Sequence, residues 1–290
     1  MTGLGSTVSL GSRPIRRKER NDSDSESENR VKFDLENKVV LVTGGASGIG
    51  LAVSRAAAAQ GMAVAVMDVN GEAVEQTCEE LTTQGAACHG LTVDVTDSAA
   101  VRNAVEQAEK KLGLLHGLVA CAGITQDSPV VDMTDEEWDR LIAVNLRGVF
   151  AVTREVGRRL THRRSGSVVL IGSTDSVGGR HNHAAYAASK HGVSGLAKSA
   201  AIEWGPSGVR INVVAPGGVD TPLLRRRFDD ESIKSRLLYN VPLGRLSLPA
   251  EQANASMFLL SEAASYITGT TLCVDGGLTT GFVYNEQNMW

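Results

Sequence analysis

The sequence predicts an α/β fold, a single doubly wound domain whose seven-stranded parallel sheet is flanked by helices. Three observations predict it. From Val39 onward short apolar runs alternate with longer amphipathic stretches, the pattern of successive βαβ units. The first of these runs leads straight into glycines and then a helical stretch. The chain is 290 residues long and 42% hydrophobic, enough to bury one large core. Right-handed crossovers between parallel strands then place ligands at the carboxyl ends of the strands.

The elements follow in order. Residues 1–33 are predicted to be a disordered charged tail, in which Arg13, Arg16, Arg17, Lys18 and Arg20 precede Asp22, Asp24, Glu26 and Glu28 among serines. So few apolar residues cannot offset an ordering entropy of about 1–2 kcal/mol per residue. The basic cluster suits either an anionic partner or plain solvation, and the adjacent acidic block cancels most of its distant field. Residues 34–281 form the folded domain, and 282–290 a C-terminal extension. Within the domain, Val39–Val42, Ala63–Met67, Leu91–Val93, Leu118–Cys121, Val168–Ile171, Ile211–Ala215 and Thr271–Val274 read as strands. They are short, mostly β-branched or small, and bounded by Gly, Asp or Pro. Between them, Ile49–Gln60, Glu72–Gln84, Ser98–Leu112, Thr134–Leu160, Ala184–Trp204 and Ala250–Leu260 carry helical spacing, with Asp97 and Thr134 as N-caps. The irregular connection Pro216–Leu248 has the length of a lid over a ligand.

Several residues carry chemistry. The turn Thr43-Gly44-Gly45-Ala46-Ser47-Gly48-Ile49-Gly50 follows a strand and opens a helix, the context in which backbone N–H groups bind a pyrophosphate. Its spacing differs from G-x-G-x-x-G, and alone it also fits a tight turn with no ligand. Asp68 closes the second strand about 20 residues later, where a carboxylate accepts hydrogen bonds from adenosine ribose hydroxyls. That carboxylate repels the extra phosphate of NADP, and no Arg or Lys stands among the glycines or directly after Asp68, so the expected cofactor is NAD rather than NADP. Asp94 ends the next strand, either at the height of an adenine ring or as a helix cap. Tyr186 and Lys190 are four residues apart on a predicted helix and share one face. A cation beside a phenol favours the phenolate, so the pair suits acid/base work near neutral pH. Ser173 follows the fifth strand, and Asn145 lies inside a helix where Asn has only modest propensity.

Together these residues resemble the classical branch of the short-chain dehydrogenase/reductase family, from about Leu35 to Gly277. The resemblance implies a Rossmann-type domain and an NAD-dependent oxidoreductase interconverting a secondary alcohol and a ketone. It implies Tyr186 as acid/base, Lys190 lowering its pKa and holding the nicotinamide ribose, Ser173 orienting the substrate oxygen, and Asn145 holding a water between Lys190 and solvent. Cofactor contacts fall to Gly44, Ser47, Gly48, Ile49, Gly50, Asp68, Asp94, Val95, Ala120, Ala122 and Gly123. Tyr186, Lys190, Pro216, Gly217, Val219 and Thr221 complete that set. Where the family usually reads Asn-Asn-Ala-Gly, this chain has Ala120-Cys121-Ala122-Gly123, which keeps the close backbone approach and drops the bracing side chains. An alternative keeps the site and oxidises a cyclic diol, and another is an NAD-binding scaffold without turnover.

The remaining expectations are plainer. A net charge of -4 gives no reason for nucleic acid binding, and no stretch reaches the roughly 20 apolar residues of a membrane span. With no signal-peptide pattern and no C-x-x-C, Cys78, Cys88, Cys121 and Cys273 read as reduced structural thiols of a cytoplasmic protein. His181 and His183 read as loop or pocket-wall residues with no metal. Arg180 reads as a solvated loop residue or a partner for a substrate carboxylate. Arg225, Arg226 and Arg227 read as an exposed charged helix or a clamp for an anionic substrate or phosphate-bearing carrier. The terminal Phe282, Val283, Tyr284 and Trp290 suit a subunit contact, in keeping with the family's tetramers or a dimer.

Overall fold

In a computed structural model, which describes residues 33–225 and 238–281, seven strands form one parallel sheet. The strands are β1 (Val39–Thr43), β2 (Ala63–Asp68), β3 (Cys88–Thr92), β4 (Leu115–Ala120), β5 (Gly166–Ile171), β6 (Val209–Pro216) and β7 (Thr271–Val274). Their order is β3-β2-β1-β4-β5-β6-β7, so the chain reverses its direction of travel between β1 and β4. A crevice opens at that switch point, outside the carboxyl ends of the strands.

Alternation along the strands explains the two layers. Val39 and Leu41 face one core with Ala65, Met67, Leu118, Val168, Leu170, Ile211 and Val213, whereas Val40 and Val42 face the other with Val64, Val66, Val119, Val169 and Val214. Both faces are apolar because both are covered. The first face carries α3 (Ser98–Leu112), α5 (Val149–Arg163) and α6 (Ala184–Trp204). The second carries α1 (Gly48–Ala59), α2 (Gly71–Thr83) and α8 (Pro249–Leu260). Two further helices, α4 (Asp135–Ile142) and the short α7 (Pro222–Arg225), stand near the crevice. Asp97 caps α3 by accepting from the N–H groups of Ala99 and Ala100, and Thr134 forms a capping box with Glu137 on α4.

Three expectations change. The predicted helix Thr134–Leu160 is α4 and α5 joined by a π-helical turn over Ala143–Gly148. The strand expected at Leu91–Val93 lies earlier, at Cys88–Thr92, because it is an edge strand whose register against β2 pairs Val64 with Cys88 and Asp68 with Thr92. β4 begins at Leu115 rather than Leu118. Gly117 is a strand residue in a tight place, where a Cβ would stand 3.0 Å from both Leu260 Cδ2 and the Ser167 carbonyl. All four cysteines are free thiols. Among the described residues no helix is long and apolar enough to cross a membrane. The charged tail through residue 32, Arg226, Arg227 and the extension 282–290 lie outside the described residues.

Candidate active site

The glycine turn forms where β1 meets α1. Gly44 and Gly48 adopt positive φ of 62° and 51°, and a Cβ on Gly50 would collide with the Gly44 carbonyl oxygen. No side chain can enter the turn at these points, so its backbone is open to a ligand. The groove above it has a volume of about 830 Å³ and is lined by Gly44, Ser47, Gly48, Ile49, Gly50, Asp68, Asp94, Val95, Ala122 and Gly123 among others. This groove, with glycine backbone at its base and apolar side chains along its walls, fits a dinucleotide. Asp68 Oδ2 accepts from the Ala46 N–H and Oδ1 from the Asn70 N–H, each at 3.2 Å, which fixes the carboxylate at the groove's rim. Asp94 accepts from the Thr96 N–H at 2.8 Å, while capping of α3 falls to Asp97.

Thr43 supplies the bracing that the Ala120-Cys121-Ala122-Gly123 segment lacks. Its buried hydroxyl accepts from the Ala122 N–H at 3.3 Å, and its carbonyl accepts from the Cys121 N–H at 3.0 Å. Ala120, also expected at the cofactor, is the last residue of β4, 1% exposed, and its side chain packs into the core with Leu118. Strand parity explains this, since residues two apart point to the same face.

A second cavity, of about 150 Å³, is lined by Ser173, Tyr186, Lys190, Arg180, Pro216, Gly217, Val219 and Thr221 among others. Lys190 is 4% exposed; its ammonium donates to the Ile171 carbonyl at 2.9 Å and lies 5.5 Å from the centre of the Tyr186 ring. Burial pushes the Lys190 pKa down to about 8, with the neighbouring Asp175 pulling the other way. Burial also pushes the Cys121 thiol up to about 12, so it stays neutral at physiological pH. Ser173 Oγ accepts from the Asp175 N–H at 3.1 Å, which leaves its hydroxyl proton to be donated into the cavity.

Asn145 stands behind this cavity in the π-helical turn and is fully buried. Its Oδ1 accepts from the Ile124 N–H and its Nδ2 donates to the Ile124 carbonyl, both at 2.8 Å. A Cβ on Gly123 would meet Asn145 Oδ1 at 3.3 Å and Lys190 Nζ at 3.7 Å, so Asn145 and Lys190 flank the same glycine. A wide turn of this kind is common at functional sites, and here it aims one amide at a single backbone segment. Asn145→Ala strands both Ile124 groups, and the expected cost is about 2–3 kcal/mol. A urea midpoint unchanged by the substitution would count against that account.

Sequence reasoning did not single out two arginines that line the groove. Arg140 and Arg147 line the larger groove, with Arg147 donating to the Thr96 carbonyl at 2.8 Å. His183, expected in a loop or pocket wall, is 1% exposed and lies between the carboxylates of Asp175 and Asp127, whereas His181 is exposed. Among the described residues no group of three or more His, Cys, Asp or Glu could hold a metal ion. Arg225 is engaged by both oxygens of Asp220, at 2.7 and 2.9 Å.

A family model described as enoyl-(acyl carrier protein) reductase matches residues 44–279. The chain is 38% identical to D-threitol dehydrogenase of Mycolicibacterium smegmatis over 247 residues, covering 85% of this chain and 95% of that one. It is 39% identical to the 3-oxoacyl-[acyl-carrier-protein] reductase FabG of Escherichia coli over 246 residues, 85% and 99% of the two chains. The solved structure of gox2181 superposes with a TM-score of 0.84 at 37% identity, covering 87% of this chain and 99% of that one. The family model runs from Gly44 of the glycine turn past β7 and includes the helix bearing Tyr186 and Lys190, and the chain therefore belongs to the short-chain dehydrogenase/reductase family of oxidoreductases.

Proposed function

We propose that the chain is an NAD-dependent oxidoreductase interconverting a secondary alcohol and a ketone, with Tyr186 as its acid/base. One observation carries the reading. The cavity of Tyr186, Ser173 and Lys190 shares Ile49, Cys121, Gly123, Ile124, Thr221 and Leu223 with the groove over the glycine turn, so the two adjoin along a common wall. When bound, a nicotinamide cofactor supplies or accepts the hydride. The chain's own residues handle the proton. In reduction the Tyr186 phenol protonates the carbonyl oxygen; in oxidation the phenolate takes the alcohol proton. Lys190 stabilises that phenolate, and the Ser173 hydroxyl holds the substrate oxygen. Gly44, Ser47, Gly48, Ile49 and Gly50 would receive the pyrophosphate, Asp68 the ribose hydroxyls, and Asp94 and Val95 the adenine end.

Asp68 supports NAD over NADP. Among the described residues no ion pair neutralises it, so its charge opposes a further phosphate at the ribose. A substrate cavity of about 150 Å³ suits a small molecule, being well below the roughly 300 Å³ at which drug-sized sites begin. Similarity to D-threitol dehydrogenase favours a second reading with the same site, oxidation of a diol.

The test is a panel of linear and cyclic alcohols, diols, ketones and an acyl thioester, read as absorbance of the reduced cofactor with NAD and NADP in parallel. Turnover with NAD preferred is expected, and Asp68→Ser should move the NAD-to-NADP ratio of kcat/KM by about tenfold or more toward NADP, a change of about 1.4 kcal/mol. An unchanged ratio would remove Asp68 from cofactor selection. Tight NADH binding with silence across the panel would favour the scaffold reading.

A further inference from the structure

Two thiols face each other at the outer edge of the sheet. Val74 and Cys78, four residues apart on α2, share the face that packs on β3, while Cys88 and Gly90, two apart on β3, share the face that meets α2. The fit is close, since a Cβ on Gly90 would stand 2.6 Å from Val74 Cγ1 and 3.4 Å from Cys78 Sγ. The Cys88 thiol donates to Cys78 Sγ across 2.6 Å. The connection between them is itself held: the Gly85 and Ala86 N–H groups donate to the Thr82 and Leu81 carbonyls, and the Val64 N–H donates to the Ala87 carbonyl. Helix, turn and strand therefore fix both sulfurs before any bond joins them.

Position sets this pair apart from the other two cysteines. A disulfide needs its sulfurs about 2.0 Å apart, so closing one here takes a shift of roughly half an ångström. Cys121 follows β4, three strands from β3, and Cys273 lies on β7 at the opposite edge. With neighbouring strands about 4.8 Å apart, neither can reach the pair. Cys78 and Cys88 are both partly exposed, which leaves a path for a small reagent. Neither lines the cofactor groove or the substrate cavity. The hydrogen bond that Cys78 accepts holds its thiol below the usual range, and the same bond holds the Cys88 thiol above it. Cys78 is thus the member that forms the thiolate and attacks.

We propose that Cys78 and Cys88 form a redox-active dithiol, which closes to a disulfide clasping β3 to α2 by exchange with a low-molecular-weight disulfide. The Cys78 thiolate attacks one sulfur of the small disulfide, whose S–S bond breaks; one small thiolate leaves and takes up the proton that Cys78 released. The Cys88 sulfur then gives up its proton, attacks Cys78 Sγ and expels the other small thiolate, which takes up that proton. Two protein thiols are oxidised and one small disulfide is reduced to two thiols. An excess of small thiol reverses both steps. This chemistry is separate from proton and hydride transfer at Tyr186 and holds whichever alcohol the chain oxidises.

The full chain, reduced and then incubated natively with oxidised glutathione, tests it. Alkylation in denaturant after an acid quench should find free thiols fallen from four to about two. Cleavage after Glu79 and Glu80 opens the loop between the cysteines, so the oxidised protein should yield the flanking fragments joined and the reduced protein should yield them apart. Cys88→Ser should stop at the first step and retain glutathione on Cys78, whereas Cys78→Ser should react at least about tenfold more slowly than the wild-type chain. The closed clasp constrains a loop of about ten residues in the unfolded chain, and the urea midpoint should rise by roughly 1 M. All four thiols still free after that incubation, a bridge that includes Cys121 or Cys273, or a midpoint unmoved by oxidation overturns the proposal. Should a serine variant fail to fold, the fragment pattern and midpoint of the wild-type chain decide it.

Discussion

Tyr186→Phe is expected to lower turnover by about 10²–10⁴-fold, the share that general acid–base catalysis contributes, while NADH still binds. The substitution removes one oxygen and keeps the ring. That ring carries the edge contact with His183 and lies below the Lys190 ammonium, so the packing of α6 against the cavity survives. Only the proton route is lost. Hydride transfer to a carbonyl without the Tyr186 phenol would have to build an alkoxide beside the Ser173 hydroxyl, with no acid placed to protonate it. Comparison of kcat with the NADH dissociation constant separates the two effects: a loss confined to kcat supports the assignment. Retention of wild-type turnover would falsify it, and a parallel loss of binding would place Tyr186 in the cofactor's hold instead.

Much of this site is legible in the sequence because its parts are local. The glycine turn, Asp68 at the end of β2 and the i, i+4 pair of Tyr186 and Lys190 each declare themselves within a few residues, and the alternation along β1, β2 and β5 gives a two-faced sheet directly. What the sequence hides is long-range. The π-helical turn over Ala143–Gly148 has the apolar spacing of an ordinary helix; it arises where Asn145 bonds to Ile124 and where a Cβ on Gly148 would stand 2.7 Å from Val95 Cγ2. The partners of His183 are equally invisible, since Asp127 is brought to it only by the sheet and Asp175 only by the fold of the loop after Ser173. Ala120 is a different case. Its parity with Leu118 on a buried strand already points it into the core, a signal that the sequence itself contains.

Lys190→Met is expected to separate activity from stability. The ammonium is buried and its pKa falls from 10.5 in the unfolded chain to about 8 in the fold. Between those values the unfolded chain binds the proton that the native protein has released, so the lysine's contribution to stability rises with pH through this window. Below pH 8 the charged form is carried at a penalty of about 3 kcal/mol, because each pH step of one between the two values is worth about 1.4 kcal/mol. Methionine removes the charge and retains most of the side chain's volume. It also strands the Ile171 carbonyl, at a cost of about 1–2 kcal/mol, so a net gain of about 1–2 kcal/mol is expected at neutral pH. That gain should shrink, and then reverse, as the pH approaches 10.5, which urea midpoints at several pH values would reveal. Activity should move the other way. Without the cation the Tyr186 phenolate loses its stabilising partner, and the alkaline rise of alcohol oxidation should move upward by about 1–3 pH units, with turnover at neutral pH falling at least about tenfold. A variant both more stable and less active identifies Lys190 as a charge held in place for chemistry at the expense of the fold. A variant with lower stability and an unshifted pH profile would make it a structural residue.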